Sequence, residues 1–269
     1  MTMQEYTHGY TQREAVRLND QANALDALLH HDSVWERGSM ILEAGCGVGA
    51  QTKIIAPRNA ESHFISIDIS QDTITQAEKL ISTLGIKNVA FRQADIYELP
   101  FENNYFDHVF VCFVLEHLAN PPEALTELKR VLKANGTIMV IEGDHGSAYF
   151  HPESVEAQKA IQCQVAIQKR NGGDANIGRK LYPLLKAGGF HRINISPRMV
   201  YVDDSLPDLV NGFTRNTFTA MIEGIRDIAI SENLTSSEIM DKGIKDLYRT
   251  AQGGGTFCYT FFKGVAQKP

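Results

Sequence analysis

Apolar positions recur along this chain in two rhythms. Over residues 13–31, Val16, Leu18, Leu25, Leu28 and Leu29 fall at mixed three- and four-residue intervals, the spacing of an amphipathic helix. From Met40 onward short apolar runs take over. Met40-Ile-Leu, His63–Asp68, Val89–Asp95, Phe106–Val114 and Thr137–Glu142 each read as a buried strand. The segments between them carry helical spacing: a helix begins at Gln51, a second runs from Gln71 to Leu84 and is closed by Gly85, and a third spans Pro121 to Leu132 with proline in its first turn. Asn135-Gly136 is expected to turn the chain into the fifth strand. Strands alternating with helices at this spacing call for parallel pairing and right-handed crossovers.

Beyond residue 145 the pattern is less regular. Helices are expected over Glu153–Arg170 and Gly178–Ala187, the second stopped by Gly188-Gly189, with a strand over His191–Tyr201. A helical stretch over 206–249 and a closing aromatic strand from Thr256 to Ala266 complete the chain. The expected fold class is therefore α/β: a doubly wound, mostly parallel, seven-stranded Rossmann-like sheet. No repeat or low-complexity linker divides it, so a single domain over 1–269 is the simplest organisation. Residues 1–37 form an N-terminal helical lid, 38–145 a cofactor-binding core, and 146–269 a C-terminal half with a helical insertion before the last strand.

Composition narrows the function. With 43% hydrophobic and 22% charged residues the chain is an ordinary globular sequence. Its net charge of −6 opposes a phosphate backbone, which argues against a nucleic-acid partner. No apolar stretch is long enough for a membrane span, and the N-terminus has no signal-like pattern, so a cytoplasmic location is expected. Cys46, Cys112, Cys163 and Cys258 are too far apart in sequence for a zinc or redox motif; no metal is expected.

The chemistry is concentrated after the first strand, where Glu43-Ala-Gly-Cys-Gly-Val-Gly49 joins strand to helix. Such a loop lets backbone approach a ligand closely at a helix N-terminus. Gly45, Gly47 and Ala50 also satisfy the G-x-G-x-x-[GA] pattern of dinucleotide sites, which keeps an NAD(P)-dependent oxidoreductase as an alternative. Asp68, 23 positions after Gly45, ends the second strand where a carboxylate can accept ribose hydroxyls, and Asp95 ends the third.

Together Ile41–Gly49, Ser66–Ser70, Ala94–Phe101, Phe106–Leu118 and Leu132–Thr137 resemble the class I S-adenosylmethionine-dependent methyltransferases, especially the small-molecule enzymes that include the ubiquinone and menaquinone C-methyltransferases. Ala134-Asn135-Gly136 stands where that family usually has Pro-Gly-Gly. The resemblance implies S-adenosylmethionine as cofactor, S-adenosylhomocysteine as product and a small-molecule methyl acceptor. It implies that Glu43 and the backbone of Gly45 and Gly47 face the methionine part, Asp68 the ribose with Ile69 against the adenine, and Asp95 the adenine amino group with Ile96 beside the ring. Cys112 and Phe113 would line the methionine side. A non-catalytic S-adenosylmethionine-binding module is the other alternative, and a homodimer is a possible assembly.

Methyl transfer demands alignment and exclusion of water first, and a base only where the acceptor must lose a proton. His117 and His145, at the carboxyl edge of the sheet, are the candidate base or acceptor-positioning residues. Tyr10 is expected to close over the cofactor and Arg17 to pair with its carboxylate. Arg179, Tyr182, Phe257, Tyr259, Phe261 and Phe262 are candidates for the acceptor pocket, with about half of the aromatic run expected to be core because strand side chains alternate.

Overall fold

The computed structural model describes residues 12–269. Seven strands form one sheet in the order β3-β2-β1-β4-β5-β7-β6: β1 Met40–Ala44, β2 His63–Asp68, β3 Val89–Gln93, β4 Phe106–Cys112, β5 Leu132–His151, β6 His191–Val202 and β7 Thr256–Gln267. Strands β1 to β5 pair parallel, and β7 runs antiparallel between β5 and β6. The order reverses between β1 and β4, the position at which doubly wound sheets open a crevice at their carboxyl edge.

Strand alternation divides the core. Ile41, Phe64, Phe110 and Ile141 face a cluster that includes Leu25, Leu29 and Ile55. Leu42, Ile67, Val109, Val111 and Val140 face the opposite cluster with Leu125, Leu128, Leu181 and Leu185. Because both faces of the central strands are covered, their sequences read as continuous apolar runs rather than alternating ones.

Helix α1 (Gln12–His30) buries Ala22, Leu25 and Leu29, while Val16 faces solvent at 56% exposure. It lies over the glycine loop, where Ala22 packs with Val48 and Ala50. Helix α2 (Thr52–Arg58) is tied to it by Lys53 Nζ on Asn19 Oδ1 at 2.8 Å and by His30 Nε2 with Gln51 Oε1 at 2.8 Å. The far end of α1 is pinned to β7 by the buried Lys263 ammonium, which donates to Leu29 O, Asp32 Oδ1 and Ser33 Oγ. Helices α3 (Gln71–Thr83), α4 (Pro121–Val131), α5 (Val155–Arg170) and α6 (Leu181–Ala187) fall close to their expected positions.

Three features depart from the sequence expectation. Strand β5 runs on to His151, well past Glu142, because β7 continues to pair with it through Tyr149, Phe150 and His151. The expected Asn135-Gly136 turn is a bulge within β5: Asn135 has φ 63°, and the register against β4 shifts there. The helical stretch over 206–249 is not one helix. It breaks into short helices around a π-helical run, Val210–Thr219, before ending in the Ser237–Arg249 helix. Gly212 in that run lets it press against α1, since a Cβ there would come within 2.9 Å of Ala24 Cβ.

Candidate functional site

The site is built from the carboxyl ends of β1, β2, β4 and β5. At the end of β1 the glycine loop folds back on β2: Gly45 and Cys46 donate their N–H groups to Ile67 O at 2.8 and 2.9 Å, and Gly47 donates to Asp68 Oδ2 at 2.9 Å. The three glycines serve different needs. At Gly45 a Cβ would stand 2.4 Å from Val114 Cγ2, and at Gly49 3.1 Å from Ala77 Cβ, so close packing excludes side chains there. At Gly47, with φ 51°, a Cβ would meet nothing within 4 Å and would project into open space.

Asp68 carries the loop. Besides Gly47 it accepts from Ser70 N at 3.0 Å and Thr73 Oγ1 at 3.1 Å, which joins the glycine loop, β2 and the first turn of α3 through one carboxylate. Ile69 beside it is 46% exposed. Asp95 is exposed and accepts from Tyr97 N at 2.9 Å, forming a tight turn after β3, and Ile96 is half-buried. Glu43 lies beneath the loop rather than on its surface. It is 2% exposed, its Oε2 accepts from Thr52 Oγ1 and Ser66 Oγ, and burial pushes its carboxyl up to about 7 against those hydroxyl contacts. Among the described residues its Oε1 has no hydrogen-bond partner.

A second group forms where β4 ends. Cys112 is buried, and burial raises its thiol well above the usual range. Phe113 follows at φ 58°, a conformation that costs a non-glycine residue free energy. The turn is held by Glu142 from β5, whose Oε1 accepts from Val114 N at 3.0 Å and Leu115 N at 2.8 Å. Glu142 is fully buried; burial, and then repulsion from Glu116, keep its carboxyl well above the ordinary value. The turn it caps, Leu115–His117, brings Glu116 and His117 forward, with His117 Nε2 3.6 Å from Glu116 Oε1. Gln168 on α5 fixes Glu116 from behind, donating to its backbone oxygen at 3.0 Å and to Oε2 at 3.2 Å.

Phe113, Glu116 and His117 of the second group border a cavity of about 60 Å³, lined also by Arg17, Gly143, His145, Met221, Tyr259 and Phe261 among others but by no residue of the glycine loop and by neither Asp68 nor Asp95. His145 Nδ1 lies 2.7 Å from Tyr259 Oη, and burial lowers the imidazole's pKa. The two candidate histidines, Phe113 and Arg17 therefore come together, on the β4 and β5 side of the glycine loop. Tyr10 lies outside the described residues. Of the other pocket candidates, Phe257, Tyr259 and Phe261 share one buried face of β7, where Tyr259 and Phe261 line the cavity and Phe257 is core, while Phe262 turns to the opposite face and packs with the cluster of Leu181 and Leu185. Arg179 instead clamps the buried Asp144 carboxylate at 2.6 and 2.7 Å, and Tyr182 is half exposed. Sequence reasoning missed Glu116, though it precedes His117 directly, and Met221, which carries no signal on its own.

Among the described residues no helix is long and apolar enough to cross a membrane, and no cluster of three or more possible metal ligands occurs. The sequence model of the methyltransferase-domain family matches residues 36–189, more than half of the chain. An uncharacterized methyltransferase of Schizosaccharomyces pombe is 33% identical over 180 residues, spanning 60% of this chain and 64% of the relative. A ubiquinone/menaquinone biosynthesis C-methyltransferase of Coxiella burnetii is 33% identical over 107 residues, 39% of this chain and 43% of that one. The chain thus spans less than two thirds of the length of both relatives. A phosphoethanolamine N-methyltransferase of Haemonchus contortus, solved with S-adenosyl-L-methionine, shares the fold at a TM-score of 0.56 and 15% identity, covering 93% of this chain and 52% of that one. Glycine loop, strand-end carboxylates and family match agree: the chain belongs to the methyltransferase-domain family, within the class I S-adenosylmethionine-dependent methyltransferases.

Proposed function

We propose that the protein transfers a methyl group from S-adenosylmethionine to a small-molecule acceptor. The observation that carries this reading is the adjacency of two built regions: a glycine loop tied to a strand-end carboxylate, and a small open cavity bearing titratable side chains beside it. The residues present fit the cofactor. Gly47 opens onto unfilled space. Asp68 uses three of the roughly four acceptor positions of a carboxylate within its own loop, leaving capacity for a ribose hydroxyl. Ile69 and Ile96 offer partly exposed apolar surface for a flat ring, and the exposed Asp95 carboxylate can accept from an amino group. Arg17, at the cavity wall, is positioned to meet a carboxylate.

When bound, the cofactor supplies a methyl group on a sulfonium centre. The chain's own contribution is alignment and shelter. Phe113, Met221 and Phe261 give the cavity apolar walls that exclude water and fix the acceptor's orientation. Glu116 and His117 together can take a proton where the acceptor must lose one.

Calorimetric titration is expected to show binding of S-adenosylmethionine and S-adenosylhomocysteine and none of NAD or NADP; the reverse pattern overturns the proposal. Gly47→Ala separates binding from folding. The added methyl meets no atom but is held at positive φ, so unfolding stability should drop by about 1 kcal/mol. Affinity for S-adenosylhomocysteine should fall at least about tenfold, because the methyl fills the open space. Unchanged affinity would show that the cofactor does not approach this face of the loop.

A further inference from the structure

Helix α5 carries two glutamines one turn apart, Gln164 and Gln168, at 0 and 1% exposure on a face otherwise built from alanine, cysteine and isoleucine. Buried amides are costly unless their polar atoms are met. Those of Gln168 are met on both sides. Its Oε1 accepts from Gln164 Nε2 at 3.3 Å, and its Nε2 donates to Glu116 O at 3.0 Å and to Glu116 Oε2 at 3.2 Å. The backbone carbonyl assigns the nitrogen to that side, because a flipped amide would set its own oxygen against a carbonyl and a carboxylate.

The Glu116 carbonyl has another donor. Asp174 N reaches it at 2.8 Å, from a loop that closes on Glu116 because Gly173 lacks a side chain: a Cβ there would stand 2.3 Å from Glu116 O and 3.1 Å from Gln168 Cγ. What Gln168 adds is the second contact, the one to the carboxylate. With Oε2 held, the other oxygen, Oε1, stands 3.6 Å from His117 Nε2, and Glu116 and His117 both border the cavity while neither glutamine does.

We propose that Gln168, braced by Gln164, is a positioning residue that fixes the Glu116 carboxylate against His117 and so makes the two a single proton-accepting pair at the cavity wall. This rests on the proposed reading of the cavity as the acceptor site. A glutamate side chain loses rotamer freedom when it is fixed, and the buried amide places that loss in folding, before any acceptor arrives. Around the pair stand Glu142, Asp144 and His145 on β5, Tyr259 on β7, Cys112 on β4 and Arg17 on α1. All of these are kept in the Gln168 variants, so a difference from wild type reports on Gln168.

The test follows the His117 ring by ¹⁵N-edited NMR as pH is varied, on the full chain without cofactor or acceptor, with the His117 signals assigned by their absence in His117→Gln. Glu116→Gln should lower the midpoint of the ring's titration, since the imidazolium loses its anionic neighbour. Gln168→Met, close in size but without N–H groups, should lower it in the same direction by about 0.5 unit or more, roughly threefold in proton affinity. Gln168→Asn keeps the amide but is one methylene short of Oε2. It should match Gln168→Met, and it covers the case in which methionine is not accepted by the fold. An unchanged midpoint in Glu116→Gln, or in a folded Gln168 variant, overturns the proposal and reduces the glutamines to helix packing. A raised midpoint in the Gln168 variants overturns it as well, because Gln168 would then be drawing Glu116 away from His117. A failed calorimetric titration with S-adenosylhomocysteine, by contrast, would remove the cofactor and leave these midpoints as they are.

Discussion

Asp68→Ala is expected to lower affinity for S-adenosylhomocysteine by about 30-fold or more, on the order of 2 kcal/mol. Two losses combine. The ribose would lose an ionised acceptor, and the glycine loop would lose the bond from Gly47 N–H that draws it onto β2. Ser70 N and Thr73 Oγ1 lose the same partner, so the first turn of α3 loosens next to the loop. Asp68→Asn keeps one carbonyl oxygen but must set an amide N–H₂ against one of these donors, and an intermediate loss is expected. Calorimetry on variants first shown to be folded by near-ultraviolet circular dichroism separates binding from collapse of the loop. A folded Asp68→Ala protein that binds with unchanged affinity would remove the ribose assignment and leave Asp68 as a structural clamp.

Asp68 also shows how far the sequence carries. Its position at the end of β2 follows from local pattern, because a short apolar run ending on an acid before a helix cap is visible in six residues. That the carboxylate would already be engaged with Gly47 N–H is not visible, since the contact depends on how the loop folds back over Ile67. The same division holds elsewhere. The parallel strands and helices α1 to α6 were legible because each is a periodic segment set by its own side chains. The length of β5 was not, because Gly146, Ser147 and Ala148 carry no strand signal and the extension exists through pairing with β7. The π-helical run was hidden for a related reason: a spacing that buries Phe213, Thr217 and Phe218 is also compatible with an ordinary α-helix. At the site, His117 and His145 could be singled out from their places after β4 and after the expected end of β5, although β5 in fact runs on past His145. The placing of Tyr259 against His145 could not, because it joins residues 114 positions apart.

Glu142 is where stability and the site meet most directly, and Glu142→Ala is expected to destabilise the protein by about 3 kcal/mol, read by urea denaturation. The substitution removes the acceptor of Val114 N–H and Leu115 N–H, leaving buried donors without a partner at the turn that holds Phe113 at positive φ. Glu142→Gln should behave differently. Because burial and Glu116 keep the native carboxyl's pKa well above the ordinary value, the group is neutral over a range in which a solvated glutamate is charged. An amide of the same shape can then replace it, with one carbonyl oxygen for both N–H groups, at a cost of about 1 kcal/mol or less. The pH dependence discriminates further. Above 4.5 the unfolded chain releases the Glu142 proton while the folded chain retains it, so this group's contribution to stability declines as pH rises until the folded value is passed. Wild type should therefore lose ground to Glu142→Gln as pH increases from about 5 to 7. Parallel stability curves for the two proteins would mean that Glu142 does not hold its proton in the folded state. The Val114–Leu115 turn would then be held by a charged carboxylate beside Glu116, and Glu142→Gln would cost more than about 1 kcal/mol.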